Sequence, residues 1–263
     1  MVKKKKKKIT IERLRKLNFI AFIFFAVQLG LMALIASSKV KFDITTNYLT
    51  FDVATSTLTT STKTVFALPL VWPILAFLAM SMTAHLIIST IWYRGYKKDL
   101  QKGMNRARWV EYSLSASTMI IAISLLSGIY DLSSLIMLFA LTSIMNLCGM
   151  IMEIHNQTTE KTKWISYLVG CLAGIIPWIV IAIYFVASAQ NASAGGAKIP
   201  DFVYWIYVTI FIFFNCFALN MFLQYKKIGP WKNYLYGERV YIILSFVAKT
   251  ALAWQVFTGT LRP

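Results

Sequence analysis

Seven blocks of apolar residues, separated by polar or charged stretches, take up most of this chain. They run Leu17–Ser37, Val65–Trp92, Ala107–Ile129, Leu132–Met152, Trp164–Ala189, Phe202–Gln224 and Val240–Thr260. A helix that crosses a bilayer needs about 20 mostly apolar residues, because each rises ~1.5 Å through a ~30 Å hydrocarbon core. Every block has that length, so the pattern predicts an all-α membrane protein with a seven-transmembrane-helix bundle. One membrane domain spans residues 17–260, behind a basic tail at 1–16. Short connections make neighbouring helices antiparallel. The first block follows a basic start, as in a secretory signal, and Ala36-Ser37-Ser38 is loosely compatible with cleavage. Its apolar run is too long for a signal core and contains Gln28, so a retained first helix is expected.

Two connections carry a pattern of their own. Between the first two spans, residues 39–64 include Val40-Lys41-Phe42-Asp43-Ile44, which alternates apolar and polar positions. Tyr48-Leu49-Thr50-Phe51-Asp52-Val53 alternates more loosely, and Thr46-Asn47 suits a turn. This predicts a small extracellular β-hairpin. Gln190–Pro200, rich in Ala, Ser and Gly, reads as a flexible outer loop. It contains the glycosylation triplet Asn191-Ala192-Ser193, a pattern common by chance. Pro69 and Pro73 fall early in the second span and Pro177 within the fifth. A membrane helix tolerates such breakers where neighbours satisfy the freed carbonyl.

Composition agrees with a bilayer environment: 58% of residues are hydrophobic and 14% charged, against about a quarter charged in soluble domains. The net charge of +17 raises nucleic-acid binding as a function, but its distribution argues otherwise. With the amino terminus in the cytoplasm, 21 of the 27 basic residues fall on the cytoplasmic side. They lie in the tail (Lys3–Lys8, Arg13, Arg15, Lys16), the second-to-third loop (Arg94 to Arg108), and the pairs and clusters from Lys161 and from Lys226 onward. The opposite side holds Lys39, Lys41, Lys63, Lys198 and Arg262. That bias orients the chain with its amino terminus inside and its carboxyl terminus outside, in a plasma or host cell membrane. The basic residues then face anionic lipid rather than nucleic acid.

Cys148, Cys171 and Cys216 all lie within apolar spans, where thiols act as small hydrophobes; no disulfide is predicted. No cysteine pair has metal-ligand spacing with a histidine, so no metal site is implied. Neither a phosphate-binding loop nor a hydrolytic triad nor HExxH is present, which disfavours an enzyme, and no catalytic residue is assigned.

Two ionised side chains stand at depth, Lys249 and Glu111. A charge near the bilayer centre costs about 2.5–3.5 kcal/mol, so such residues call for an explanation. Lys249 is ten residues beyond Arg239, hence ~15 Å into the membrane. Glu111 is five beyond Arg106, ~7.5 Å deep from the same side. Serines stand one turn from titratable groups on three helices: Ser245 before Lys249, Ser115 after Glu111, and Ser81 before His85. Gln28 is placed to join them from the first helix. A lysine amine condenses with an aldehyde, and the resulting cation needs a counterion in a low-dielectric interior. Aromatic residues within the spans, Tyr112, Trp178, Phe213, Phe214 and Trp254, suit a polyene, although such a stripe is also ordinary core. A structural Lys–Glu pair in a non-retinal transporter or receptor is the alternative.

The local strings sharpen this. Arg108-Trp109-Val110-Glu111-Tyr112-Ser113-Leu114-Ser115-Ala116-Ser117 resembles the third-helix motif of the heliorhodopsins, and Ser245-Phe246-Val247-Ala248-Lys249-Thr250-Ala251-Leu252-Ala253-Trp254 resembles their retinal-lysine motif. The resemblance covers essentially the whole chain. It implies all-trans retinal in the dark, bound as a protonated Schiff base on Lys249 with Glu111 as counterion. Ser245, His85, Ser81, Ser115, Tyr112, Gln28, Trp178 and Phe214 complete the expected pocket. It further implies an inverted topology, a homodimer through the outer hairpin, and light sensing without ion pumping. Phe25 departs from the family, which often has histidine three residues before Gln28; His85 is then the pocket's one histidine. Eleven residues past Glu111 stands Ala122 rather than a second carboxylate, so a light-driven proton transporter or channel-like rhodopsin is the second reading. The residues name no downstream signalling partner.

Overall fold

The computed structural model describes residues 9–194 and 201–261. Lys3–Lys8, Lys198, Arg262 and the carboxyl-terminal part of the predicted loop 190–200 fall outside them. The chain runs α1 (Ile11–Ile35), β1 (Lys41–Asp52), β2 (Thr57–Pro69), α2 (Val71–Ser89), α3 (Tyr93–Gln101), α4 (Arg106–Leu126), α5 (Leu132–His155), α6 (Ile165–Ala194), α7 (Asp201–Tyr225) and α8 (Tyr234–Val256). Among the described residues, seven helices, all of these except α3, are long and apolar enough to span a membrane. This is an integral membrane protein.

Polar residues placed just before the apolar runs fix where the helices begin. Thr10, Asn105, Asp131 and Asn233 cap α1, α4, α5 and α8, each side chain accepting a hydrogen bond from a first-turn backbone N–H. These bonds satisfy donors that have no partner inside the helix. Around the ring, α1 packs on α2 and α8, α2 on α4, α4 on α5, α5 on α6, and α7 on α8. The seam between α6 and α7 is wider. Aromatic side chains bridge it, with Trp178 and Phe185 of α6 against Tyr204, Tyr207, Phe211 and Phe214 of α7 at centroid distances of 4.9–5.7 Å. Leu, Ile and Val side chains cover much of the outer surface, as a lipid-facing bundle requires.

The outer hairpin forms, but its turn is not at Thr46-Asn47. Those residues pair with Lys63 and Thr62, and the two strands continue to Asp52 and Thr57. Asp52 Oδ1 accepts from Ala54 N at 2.9 Å and Ser56 takes a left-handed φ of 51°, so the reversal lies at Val53–Ser56. A bulge at Val65 interrupts the ladder between Ile44 and Thr45. At and below that bulge the hairpin is anchored: Ile44 is fully buried and Phe42 stacks on Tyr130 at 5.2 Å, while at the bulge itself Thr45 N donates to Tyr130 O at 2.9 Å.

Other expectations need correction. Val65–Pro69 are strand, so α2 begins only at Val71; Pro73 sits in its first turn and Pro69 outside it. The flexible loop predicted from Gln190 is helical as far as Ala194, and Asn191 lies in the last turns of α6. The second-to-third connection contains α3, whose Tyr96 and Leu100 are buried beneath the bundle. Of the cysteines only Cys148 is buried, while Cys171 is exposed and lines the large cavity beside α6.

Candidate functional site

Lys249 of α8 and Glu111 of α4 meet in the interior, 3% and 8% exposed. Nζ donates to Glu111 Oε1 at 2.5 Å, and Ser81 Oγ of α2 donates to the same oxygen at 2.7 Å. Burying an ion pair costs desolvation that its attraction only roughly offsets, whereas removing one partner strands the other at a cost of about 3–5 kcal/mol. The pair is therefore conditional: each member requires the other.

His85 is not bonded to Glu111. Its Nδ1 lies 2.7 Å from Asn18 Oδ1 of α1, and Phe25 stacks on its ring at 5.5 Å. Asn18 Nδ2 donates to Leu14 O at 2.9 Å and to Tyr96 OH at 3.1 Å. That orientation turns the amide oxygen toward His85, so Nδ1 carries the hydrogen and Nε2 keeps the lone pair. Asn18, seven residues before Phe25 and so on the same helix face, went unrecognised in the sequence.

Ser115 Oγ is buried without a hydrogen-bond partner among the described residues, and Ser245 Oγ lies near Tyr112 without a well-formed bond. Tyr112 donates instead to Tyr241 O at 3.0 Å, and its ring lies 5.2 Å from Lys249 Nζ. Gln28 does not join the group; its Oε1 accepts from Trp254 Nε1 at 3.2 Å.

From Lys249 an apolar channel leads away from the pair. A small cavity of about 40 Å³ touches Lys249, Ser245, Tyr112 and Met119. It shares the walls Met145, Asn146, Phe214 and Phe217 with a larger one of about 450 Å³ between α5, α6 and α7. Trp178 lines the larger cavity, as do Gly149, Gly170 and Gly174. At Gly149 a Cβ would collide with the Trp109 ring, so the small residue lets that wall close. Volumes of about 300–1,000 Å³ are usual for small-ligand sites. An amine at the closed end of an aromatic channel, beside a carboxylate and two under-bonded hydroxyls, fits an aldehyde-bearing polyene such as retinal. Neither Phe213 nor Trp254 lines either cavity.

A second buried polar group was missed. Arg108 of α4, counted in the sequence among lipid-facing basic residues, is 4% exposed and paired with Glu153 of α5 and Glu238 of α8, each 1% exposed. Its guanidinium carbon lies 4.0 Å from the Tyr241 ring centroid and 4.7 Å from that of Trp109. Charges at the ends of apolar windows look the same in sequence whether they snorkel or turn inward.

The chain's similarities are in accord with this geometry. The heliorhodopsin family model matches residues 14–261. No curated protein matches in sequence. Among solved structures, a light-driven proton pump from Leptosphaeria maculans superposes with a TM-score of 0.64 at 15% identity, over 93% of this chain and 95% of that one. Cyanorhodopsin from the cyanobacterium Tolypothrix gives 0.62 at 13% identity, over 95% and 94%. At such identities these two structures speak for the fold alone. The family match spans nearly the whole bundle, with Lys249 and Glu111 both inside it, and the chain accordingly belongs to the heliorhodopsin family of retinal-binding membrane proteins.

Proposed function

We propose that this protein is a light receptor carrying retinal on Lys249, with Glu111 as counterion and no net ion transport. The observation that carries this reading is the Lys249–Glu111 pair at the closed end of the aromatic channel. Joined to Nζ as a protonated Schiff base, all-trans in the dark, retinal supplies the absorption of visible light and the isomerisation that follows.

The chain's own residues set the rest. Glu111 holds positive charge at the nitrogen, and Ser81 holds Glu111 in place. Ser115 and Ser245 would offer their unpaired hydroxyls as hydrogen-bond partners to a group joined to Nζ. Trp178 and Phe214 confine the apolar end. Among the described residues, no Asp or Glu is buried between Glu111 and the hairpin end of the bundle, and Ala122 on that path is fully buried. A proton leaving the site finds no carboxylate to carry it onward in that direction, which favours sensing over pumping. The basic asymmetry favours a cytoplasmic amino terminus behind a basic tail at 1–16. The hairpin's exposed Tyr48, Leu49, Phe51 and Leu58 favour a homodimer.

Expression with all-trans retinal tests the assignment. A visible band should form in the native protein and be lost in a folded Lys249→Ala variant. A hydroxylamine-resistant band in that variant would exclude Lys249 as the attachment site. Light-induced pH change in a cell suspension, expected to be absent, separates receptor from pump.

A further inference from the structure

Two carboxylates share one guanidinium in the interior, and the site's residues lie within reach of them. We propose that Glu238 takes up and stores the proton displaced from the Lys249–Glu111 pair, with His85 standing between the two; this rests on the receptor reading above.

Charge comes first. Glu153 and Glu238 against Arg108 alone leave one buried negative charge, which a single proton neutralises. The groups facing Glu238 are Tyr96 of α3, Asn105 and Arg108 at the start of α4, Glu153 of α5, and Tyr234 and Tyr241 of α8 itself. Across the small cavity described below stand Glu111, Tyr112 and His85.

Donor count then separates the two carboxylates. Glu153 receives Arg108 and Tyr234 OH (3.1 Å) on one oxygen, and Asn105 N (2.8 Å) and Trp109 Nε1 (2.7 Å) on the other. Four donors, two of them unable to rotate away, occupy both of its oxygens. Glu238 receives Arg108 on one oxygen, and on the other Asn105 Nδ2 at 2.7 Å with a long contact from Tyr96 OH at 3.3 Å. Its first oxygen has room for a proton, and Tyr96, which also accepts from Asn18, loses little by turning.

The path is short. A cavity of about 20 Å³ is bounded by Asn18, His85, Asn105, Arg108, Glu111 and Glu238 among others. That volume admits one water, which needs roughly 10–15 Å³. His85 arrives with its tautomer set by Asn18, so Nε2 is the basic nitrogen. The balance is then closed. Lys249 Nζ gives its proton to Glu111, and Glu111 gives one to His85 Nε2 and returns to carboxylate. His85 passes one through the cavity to Glu238, which becomes a carboxylic acid. Net charge is unchanged, and no proton leaves the protein, because Glu238 and Glu153 are sealed from solvent.

Infrared spectroscopy reads this directly. In the retinal-free protein, a pH titration should resolve a buried carboxyl C=O stretch that vanishes in Glu238→Gln and survives in Glu153→Gln. In the retinal-loaded protein, the same band should appear under light while a pH-indicator dye in the medium records no release. A light-induced carboxyl band unaltered in Glu238→Gln, or dye-detected release matching the pigment photolysed, overturns the proposal. Should Glu238→Gln not fold, Tyr96→Phe removes a donor to the ionised form and should let the band persist to higher pH; an unmoved band counts against Glu238. If the wild type forms no visible band, the receptor reading fails while the retinal-free titration still decides whether Glu238 is the exchangeable acid.

Discussion

Glu111 Oε1 is the meeting point of Lys249 and Ser81, and almost everything specific to the site hangs on that atom. A carboxylate beside the nitrogen lowers the ground state more than the excited state, in which positive charge has moved away along the polyene. Glu111→Gln keeps the volume and deletes the charge. Absorption should move to longer wavelength or, where the amine loses its proton, collapse into the near ultraviolet. A spectrum and pH titration identical to wild type would mean that another group, such as a bound anion, neutralises the cation. Lys249 and Glu111 were legible in the sequence because a charge inside an apolar run calls for a partner, whether that pair is structural or holds a ligand. Arg108, Glu153 and Glu238 were not, because each stands within a few residues of a span's end, where lipid-facing and inward-facing charges coincide. His85 was legible and its partner was not: Asn18 stands at the very start of the first apolar block, where a polar residue looks like the block's edge.

Helices declared themselves by apolar length, and their ends by single polar residues. Asp131 shows what such a residue does. Hydrogen bonds from Ser133 Oγ and Ser134 N hold its carboxyl below the ordinary value of 3.8. A depressed carboxylate contributes stability that is full above that value and is lost as the pH falls through the folded one. Asp131→Ala should therefore lower the stability of the α4–α5 junction by about 1 kcal/mol near neutral pH. In thermal melts of purified protein, the gap from wild type should narrow once the pH drops below the carboxylate range; a gap constant with pH would remove the capping role. The hairpin turn was misplaced because Asn47, a common turn residue, sits instead inside the ladder opposite Thr62, whose Oγ1 donates to its Oδ1 at 2.7 Å. Asp52, two residues before the Ala54 amide that it accepts from, was the signal for the true turn. The helical stretch to Ala194 was missed because small polar residues resemble a loop in composition, although alanine is the best helix former.

At the scale of the molecule, polarity is lopsided: among the described residues, the buried carboxylates Asp99, Glu111, Glu153 and Glu238 lie toward the end where α1 begins. With the basic bias, this is the end expected in the cytoplasm. A tag at the amino terminus should be protected from protease in intact cells and one after Pro263 cleaved, and the reverse pattern would refute the orientation. The opposite end of the bundle carries the hairpin, and there the extra residue Val65 has a mechanical meaning. A bulge adds bend and twist where it sits, and this one sits where the anchored base gives way to the exposed arm. It works as a wrist, setting the angle at which the arm is held out while the base stays fixed by Ile44. Deleting Val65 leaves every other strand pair able to form but straightens the wrist. If the proposed homodimer forms through the arm, the pigment should keep its colour while native mass measurement shows fewer dimers; an unchanged oligomeric state with an altered spectrum would mean that the arm's angle is felt in the pocket and not between neighbours.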